Sequence, residues 1–238
     1  MTPRSRLIEY RDGDTRLEAY MAWGEASAPR PVVLIVHAYG GRGEYECGRA
    51  DMLARMGYVG VALDVYGKGV LGQDPAECGR LMQPFIEDRG HLLRRLELGL
   101  EAARAQPECD PGRVAAIGYC FGGLCVLDMA RAGLDLHGVV SFHGLFDPPS
   151  DRASNDIRAK VLVLHGWEDA MVPPDSVLAL ASELTARNTN WQIHAYGGTF
   201  HAFTNPHADD IGRSVKFDAV ADRRSWETLE NFLAELFE

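Results

Sequence analysis

Val114-Ala115-Ala116-Ile117-Gly118-Tyr119-Cys120-Phe121-Gly122-Gly123 is the stretch that decides the fold. A short apolar run over 114–117 meets Gly-x-Cys-x-Gly-Gly and passes at once into a helical pattern over 122–131. Strand, sharp turn and helix in that order form an elbow that displays the residue at its tip, with sulfur where oxygen is more usual. The turn is too tight for Cβ atoms at its flanking positions, which is why glycines hold them. Cys120 is thereby pushed into the open at a helix N-terminus, where the partial positive charge favours thiolate over thiol. A small buried cysteine in a glycine-rich packing site is the competing explanation. The strand before, the helix after and the spacing all favour the elbow.

Working outward, apolar runs too short for helices recur at 32–36, 58–63, 136–142 and 161–164, and they predict buried parallel strands. Between them, helical periodicity covers 45–56, 88–104, 176–187 and 223–237. Gly57, Gly133 and Asn188 stand just past helix ends. The segments 7–10 and 17–23 alternate as antiparallel strands do, and 191–196 forms a last strand before the C-terminal helix. The expectation is one α/β domain over residues 1–238, with a mostly parallel central sheet and helices on both faces.

Ligands of such sheets sit at the carboxyl ends of the strands, so the turns that follow strands carry the chemistry. Asp169 ends His165-Gly166-Trp167-Glu168-Asp169, directly after strand 161–164. His201 lies in Gly197-Gly198-Thr199-Phe200-His201-Ala202-Phe203, after the last strand. Nucleophile, acid and histidine thus come in the order the elbow requires. Imidazole takes the thiol proton, and a carboxylate on its other nitrogen fixes the tautomer. Glu168, next to Asp169, is the competing candidate for the acid, with a solvated loop charge as its simpler role.

The first long strand ends in His37-Ala38-Tyr39-Gly40-Gly41. The backbone N–H groups of Tyr39 and Phe121 are the expected oxyanion donors. His37, Tyr66, His143, Trp167 and Phe203 are candidates for lining a pocket, with ordinary core packing as the competing role for each. His165 and His194 read as structural histidines, and Cys47, Cys78, Cys109 and Cys125 as packed thiols.

Composition narrows the function further. The 238 residues are 46% hydrophobic and 24% charged, and 24 basic against 34 acidic side chains leave a net charge of −10. That balance excludes a polyanion as the general partner. There is no apolar run long enough for a bilayer and no signal-peptide core behind the first residues, so the expected location is cytoplasmic. Five cysteines with no paired zinc spacing predict reduced thiols and no metal site.

The elbow, the Gly166-Trp167-Glu168-Asp169 loop, the His201-Ala202-Phe203 turn and Asp64-Val65-Tyr66 together resemble the dienelactone hydrolase family from about Pro31 onward. The resemblance implies a single α/β-hydrolase domain, no metal or organic cofactor, and a triad of Cys120, His201 and Asp169. Two positions depart from the family's pattern. A glutamate that holds the resting cysteine in well-known members is matched here by Ala38, which shifts activation onto His201 unless Glu44 or Glu46 reaches in. Of the arginines that anchor the substrate carboxylate in those members, one is matched here by Asn205, and Arg80 or Lys68 is the candidate for a second anchor.

The expected activity is cofactor-free hydrolysis of small activated carboxylic esters or lactones, with promiscuous hydrolysis of phosphotriesters. The alternative is a thiol-based protein that captures electrophiles without turnover. Expected partners are small-molecule substrates, with no nucleic acid and no membrane, in a monomer or homodimer.

Overall fold

The computed structural model describes residues 3–150 and 156–238. The chain divides into two compact units, Met1–Ile117 and Gly118–Glu238. The first opens with a hairpin of β1 (Arg4–Asp12) and β2 (Thr15–Trp23), paired in register from Arg4 with Trp23 to Asp12 with Thr15. It continues through β3 (Arg30–Val36), α1 (Glu44–Arg55), β4 (Val59–Leu63), α2 (Pro75–Glu87), α3 (Arg89–Arg104) and β5 (Cys109–Tyr119). Its strand order is β1-β2-β4-β3-β5, with β2 antiparallel to β4 and β3 parallel to β4.

The second unit begins at the end of β5 and runs through α4 (Phe121–Arg131), β6 (Gly138–Phe142), β7 (Lys160–Gly166), α5 (Pro174–Ala186), β8 (Trp191–Tyr196) and α6 (Ala219–Phe237). Its strands β6, β7 and β8 are neighbours in that order and parallel. Between β8 and α6 lies a small antiparallel pair, β9 (Asp209–Asp210) and β10 (Val215–Lys216), joined through a 3₁₀ turn over Ile211–Arg213.

The class is α/β with a mostly parallel sheet, and burial explains why. Every residue of β4 and β6 is buried, as is all of β3 after Arg30 and all of β7 after Lys160. Successive side chains of a strand point to opposite faces, so full burial requires cover on both. Each buried Val, Leu or Ile contributes about 1.5–3 kcal/mol. These strands are the apolar runs of the sequence, and β8 occupies the expected 191–196. Gly57, Gly133 and Asn188 take positive φ values of 93°, 72° and 50°, the conformation that ends helices.

Some elements differ from the sequence reading. Helix α2 lies outside the helices that the periodicity predicts, and Pro84 interrupts it. A start signal is nonetheless present: Asp74 accepts a hydrogen bond from Glu77 N at 2.8 Å, and Pro75 opens the first turn. Helix α6 begins at Ala219 rather than 223, since Asp218 caps it by accepting from Val220 N and Ala221 N. Among the described residues no helix is long and apolar enough to cross a membrane.

Candidate active site

Strand β5 hands over to α4 through Cys120, whose φ of 54° and ψ of −113° lie far from ordinary strand or helix values. Such a backbone costs on the order of 1–3 kcal/mol and persists only where surrounding contacts hold it. Two contacts are evident: Cys120 N donates to Phe142 O at 3.0 Å, and Gly123 N donates to Cys120 O at 3.0 Å. A Cβ on Gly118 would overlap the Gly122 carbonyl. One on Gly123 would stand 2.6 Å from both Gly144 Cα and Ser141 Oγ. These close approaches let the first turn of α4 pack on the loop after β6.

Asp169 and His201 come from the loops after β7 and β8. Asp169 Oδ2 and His201 Nδ1 are 2.7 Å apart. The other carboxylate oxygen, Oδ1, accepts from Met171 N at 2.9 Å, so both oxygens of Asp169 are engaged. Burial alone would pull the His201 pKa down. The negative charge of Cys120 and the hydrogen bond to Asp169 outweigh burial and raise it to about 10. Among the described residues His201 Nε2 has no partner in close hydrogen-bonding geometry, so Cys120 acts on it chiefly through charge. Catalytic hydrogen bonds are commonly long in the unliganded state and tighten around substrate.

His143 lies beside this pair. Its Nε2 is 2.8 Å from Thr204 Oγ1, and its ring meets His201 edge-on at 5.3 Å and Phe203 at 5.1 Å. Phe203 is wholly buried and packs under the histidine loop, whereas Trp167 is 41% exposed next to Asp169. His165 is fully buried, and burial lowers its pKa, so it stays neutral beside Asp169 and His201. Thr204 was not singled out from the sequence, and a lone threonine after a histidine loop offers no pattern to find it by.

In the first unit, His37 is also fully buried. Its Nε2 accepts from Val65 N at 3.2 Å, and its Nδ1 is 2.7 Å from Ala38 O, an arrangement that ties the turns after β3 and β4 together. Tyr66 Oη donates to Tyr39 O at 3.0 Å and the ring stacks on Phe85 of α2. Glu46 caps α1 by accepting from Gly43 N at 2.8 Å. Lys68 pairs with Glu18 at 2.6 Å. In the second unit, Asn205 Oδ1 accepts from His207 N at 3.0 Å within its own loop. Among the described residues no group of three His, Cys, Asp or Glu side chains could hold a metal ion.

A model of the dienelactone hydrolase family matches residues 17–237. The chain belongs to this family. As a dienelactone hydrolase family member it is a hydrolase acting on esters, and the family implies small-molecule substrates. It is 27% identical over 212 residues to the carboxymethylenebutenolidase of Pseudomonas putida, covering 86% of this chain and 87% of that one. An uncharacterized protein of Caenorhabditis elegans is 37% identical over 154 residues, 62% of this chain and 96% of that protein. Among solved structures, a dienelactone hydrolase-like promiscuous phosphotriesterase from metagenomic libraries superposes with a TM-score of 0.95 at 36% identity, over the whole of both chains.

Proposed function

We propose that this family member hydrolyses small activated carboxylic esters or lactones through a covalent intermediate on Cys120. The observation that carries the reading is the buried 2.7 Å Asp169–His201 pair, joined by charge to a cysteine on a strained helix-entry turn. The Cys120 thiolate attacks the carbonyl carbon, and negative charge moves onto the carbonyl oxygen toward the Phe121 N–H. As the tetrahedral adduct collapses, the His201 imidazolium gives its proton to the departing alkoxide and an acyl thioester remains. Neutral His201 then takes a proton from water, the hydroxide attacks the thioester, and the Cys120 thiolate leaves. Asp169 keeps the ring oriented throughout. Nucleophile, acid–base group and orienting carboxylate are all supplied by side chains, so no step calls for a metal or an organic cofactor.

The same machinery suits activated phosphotriesters, the substrates named for the structural relative at 36% identity. Asn205 is turned to its own loop, which favours neutral acyl groups over carboxylate-bearing lactones. We take residues 1–238 as one catalytic domain, since the family match runs across both compact units. We place the protein in the cytoplasm on the cysteine usage of its sequence, an odd number in a chain too long to need disulfide staples.

A chromogenic ester tests the reading. Continuous turnover that disappears in Cys120→Ala supports it. A single stoichiometric burst would instead favour a thiol that captures electrophiles without releasing them.

A further inference from the structure

One residue outside the triad grips both sides of the Asp169–His201 contact. The segment between β8 and α6 folds back along the histidine loop: His201 N donates to Ser214 O at 2.9 Å, Lys216 N donates to His201 O at 3.1 Å, and His201 forms a parallel bridge with Val215. The side chain of Ser214 extends this attachment to the acid loop. Its Oγ donates to Glu168 O at 2.7 Å and accepts from Ala170 N at 2.9 Å, the two residues that flank Asp169. Ser214 therefore holds the backbone of the base with its carbonyl and the backbone of the acid with its hydroxyl.

The residue type is informative. Ser214 has φ 59° and ψ 32°, a left-handed conformation that glycine adopts without strain and serine does not. A glycine would satisfy the backbone equally well, but it would lose both hydroxyl hydrogen bonds. Ser214 is also only 7% exposed, so water is a poor substitute for those bonds. Glu168 N also donates to Thr199 O at 2.9 Å, but that tie lies upstream of the acid, leaving the Asp169–Ala170 side to Ser214 alone among the described residues.

We propose that Ser214 is a positioning residue for the hydrolysis, clamping the acid loop to the histidine loop so that Asp169 and His201 keep their separation through the catalytic cycle. The inference rests on the triad reading above. Loosening the clamp lets the carboxylate drift from the imidazole, which weakens the support for imidazolium and misaligns the proton transfer. A misplacement of about 1 Å can cost on the order of 10²-fold in rate.

The test compares Ser214→Gly with Ser214→Ala. Both remove the hydroxyl, but glycine relieves the backbone and alanine does not. Thermal melts confirm folding, and three quantities are read: kcat and KM on a chromogenic ester, the pH dependence of Cys120 alkylation, and the downfield proton resonance of His201 Nδ1–H. The expected result is a fall in kcat of about tenfold or more in both variants, KM within about twofold, an onset of alkylation moved to higher pH because the thiolate–imidazolium pair is less favoured, and a shifted or broadened resonance. Wild-type kinetics and resonance in Ser214→Gly would overturn the proposal, whatever Ser214→Ala does, because backbone conformation would then be the whole role of the residue. Cys120→Ala is run beside them. Turnover surviving in that variant defeats the triad reading itself, whereas its loss together with unaffected Ser214 variants defeats only the clamp.

Discussion

Asp169 Oδ2 lies 2.7 Å from His201 Nδ1, with only 3% of the histidine side chain and none of the aspartate exposed. Because Oδ1 is already engaged by Met171 N, Asp169→Asn has one favourable orientation. Its oxygen stays with Met171 N, and its NH₂ turns toward His201. The ring is then driven to carry its proton on Nε2, the nitrogen that must exchange protons with thiol, leaving group and water. We expect kcat to fall roughly 10²- to 10⁴-fold with the fold retained. His201→Ala should fall further, and Cys120→Ala should abolish turnover. Steady-state kinetics on one ester substrate checks the series. Asp169→Asn at wild-type rate would remove the carboxylate from the mechanism.

The pH dependence follows from the direction of the His201 shift. Burial opposes the charged ring, while the Cys120 charge and Asp169 support it, and the balance lifts the pKa from 6.5 to about 10. His201 is therefore imidazolium across the neutral range. Its contribution to stability is complete below about 6.5 and is lost as pH climbs through about 10. Ester turnover should hold level through neutrality and decline on the alkaline side as the imidazolium that protonates the leaving group is lost, whereas Cys120 alkylation, which needs only the thiolate, should persist there. Cys120→Ala removes the main supporting charge, so the ring should titrate at lower pH in that variant. Proton NMR of the His201 ring gives both values, and an unchanged titration in Cys120→Ala would show that Cys120 does not set it.

The elbow glycines make a stability prediction. Gly123→Ala forces a Cβ to within 2.6 Å of the Gly144 backbone, which cannot give way as a flexible side chain would. A loss of about 1–3 kcal/mol is expected, read by chemical denaturation. Activity should fall with it, because the first turn of α4 positions both Cys120 and the Phe121 amide.

That elbow also shows why the geometry of the candidate site is legible in the sequence. Gly118 and Gly123 are dictated by steric contact, and Asp169 and His201 follow strands whose apolar runs leave little choice of element. Local chemistry of this kind is written in adjacent letters. Helix α2 is hard to read because Pro84 interrupts its pattern, although Asp74 and Pro75 mark its start. The β9–β10 segment was missed for a different reason. Its value lies in hydrogen bonds from Ser214 to Glu168 and Ala170, far away in the chain, and no periodicity or motif records such a tertiary bond. The contact of Thr204 with His143 belongs to the same category.

Arg131 offers a test of the packing behind the site. Its side chain is 4% exposed and bonds Asp128 Oδ1 at 3.3 Å, Glu183 Oε2 at 2.8 Å and Phe146 O at 2.9 Å. Arg131→Met leaves carboxylates of α4 and α5 without their shared cation. Breaking a buried pair from one side costs about 3–5 kcal/mol. For a chain of this size the melting temperature should drop by roughly 10 °C. A drop of only a degree or two would mean the carboxylates find other partners or water.

The choice of sulfur over oxygen makes the last prediction the sharpest. Attack of the Cys120 thiolate on an aryl dialkyl phosphate forms a phosphorus–sulfur bond and expels the aryloxide, while charge on the phosphoryl oxygen is directed to the Phe121 N–H. Water, deprotonated by His201, must then cleave that phosphorus–sulfur bond and return the thiolate. Thiolate is a far better leaving group than a serine alkoxide, so the second step is expected to proceed with Cys120 and to stall with serine in its place. The wild-type protein should therefore release many equivalents of aryloxide slowly and without added metal, unaffected by a chelator. Cys120→Ser should release one equivalent and stop, with a dialkyl phosphate adduct on residue 120 visible by mass spectrometry. Full turnover by the serine variant would show that the phosphoryl group never passes through residue 120.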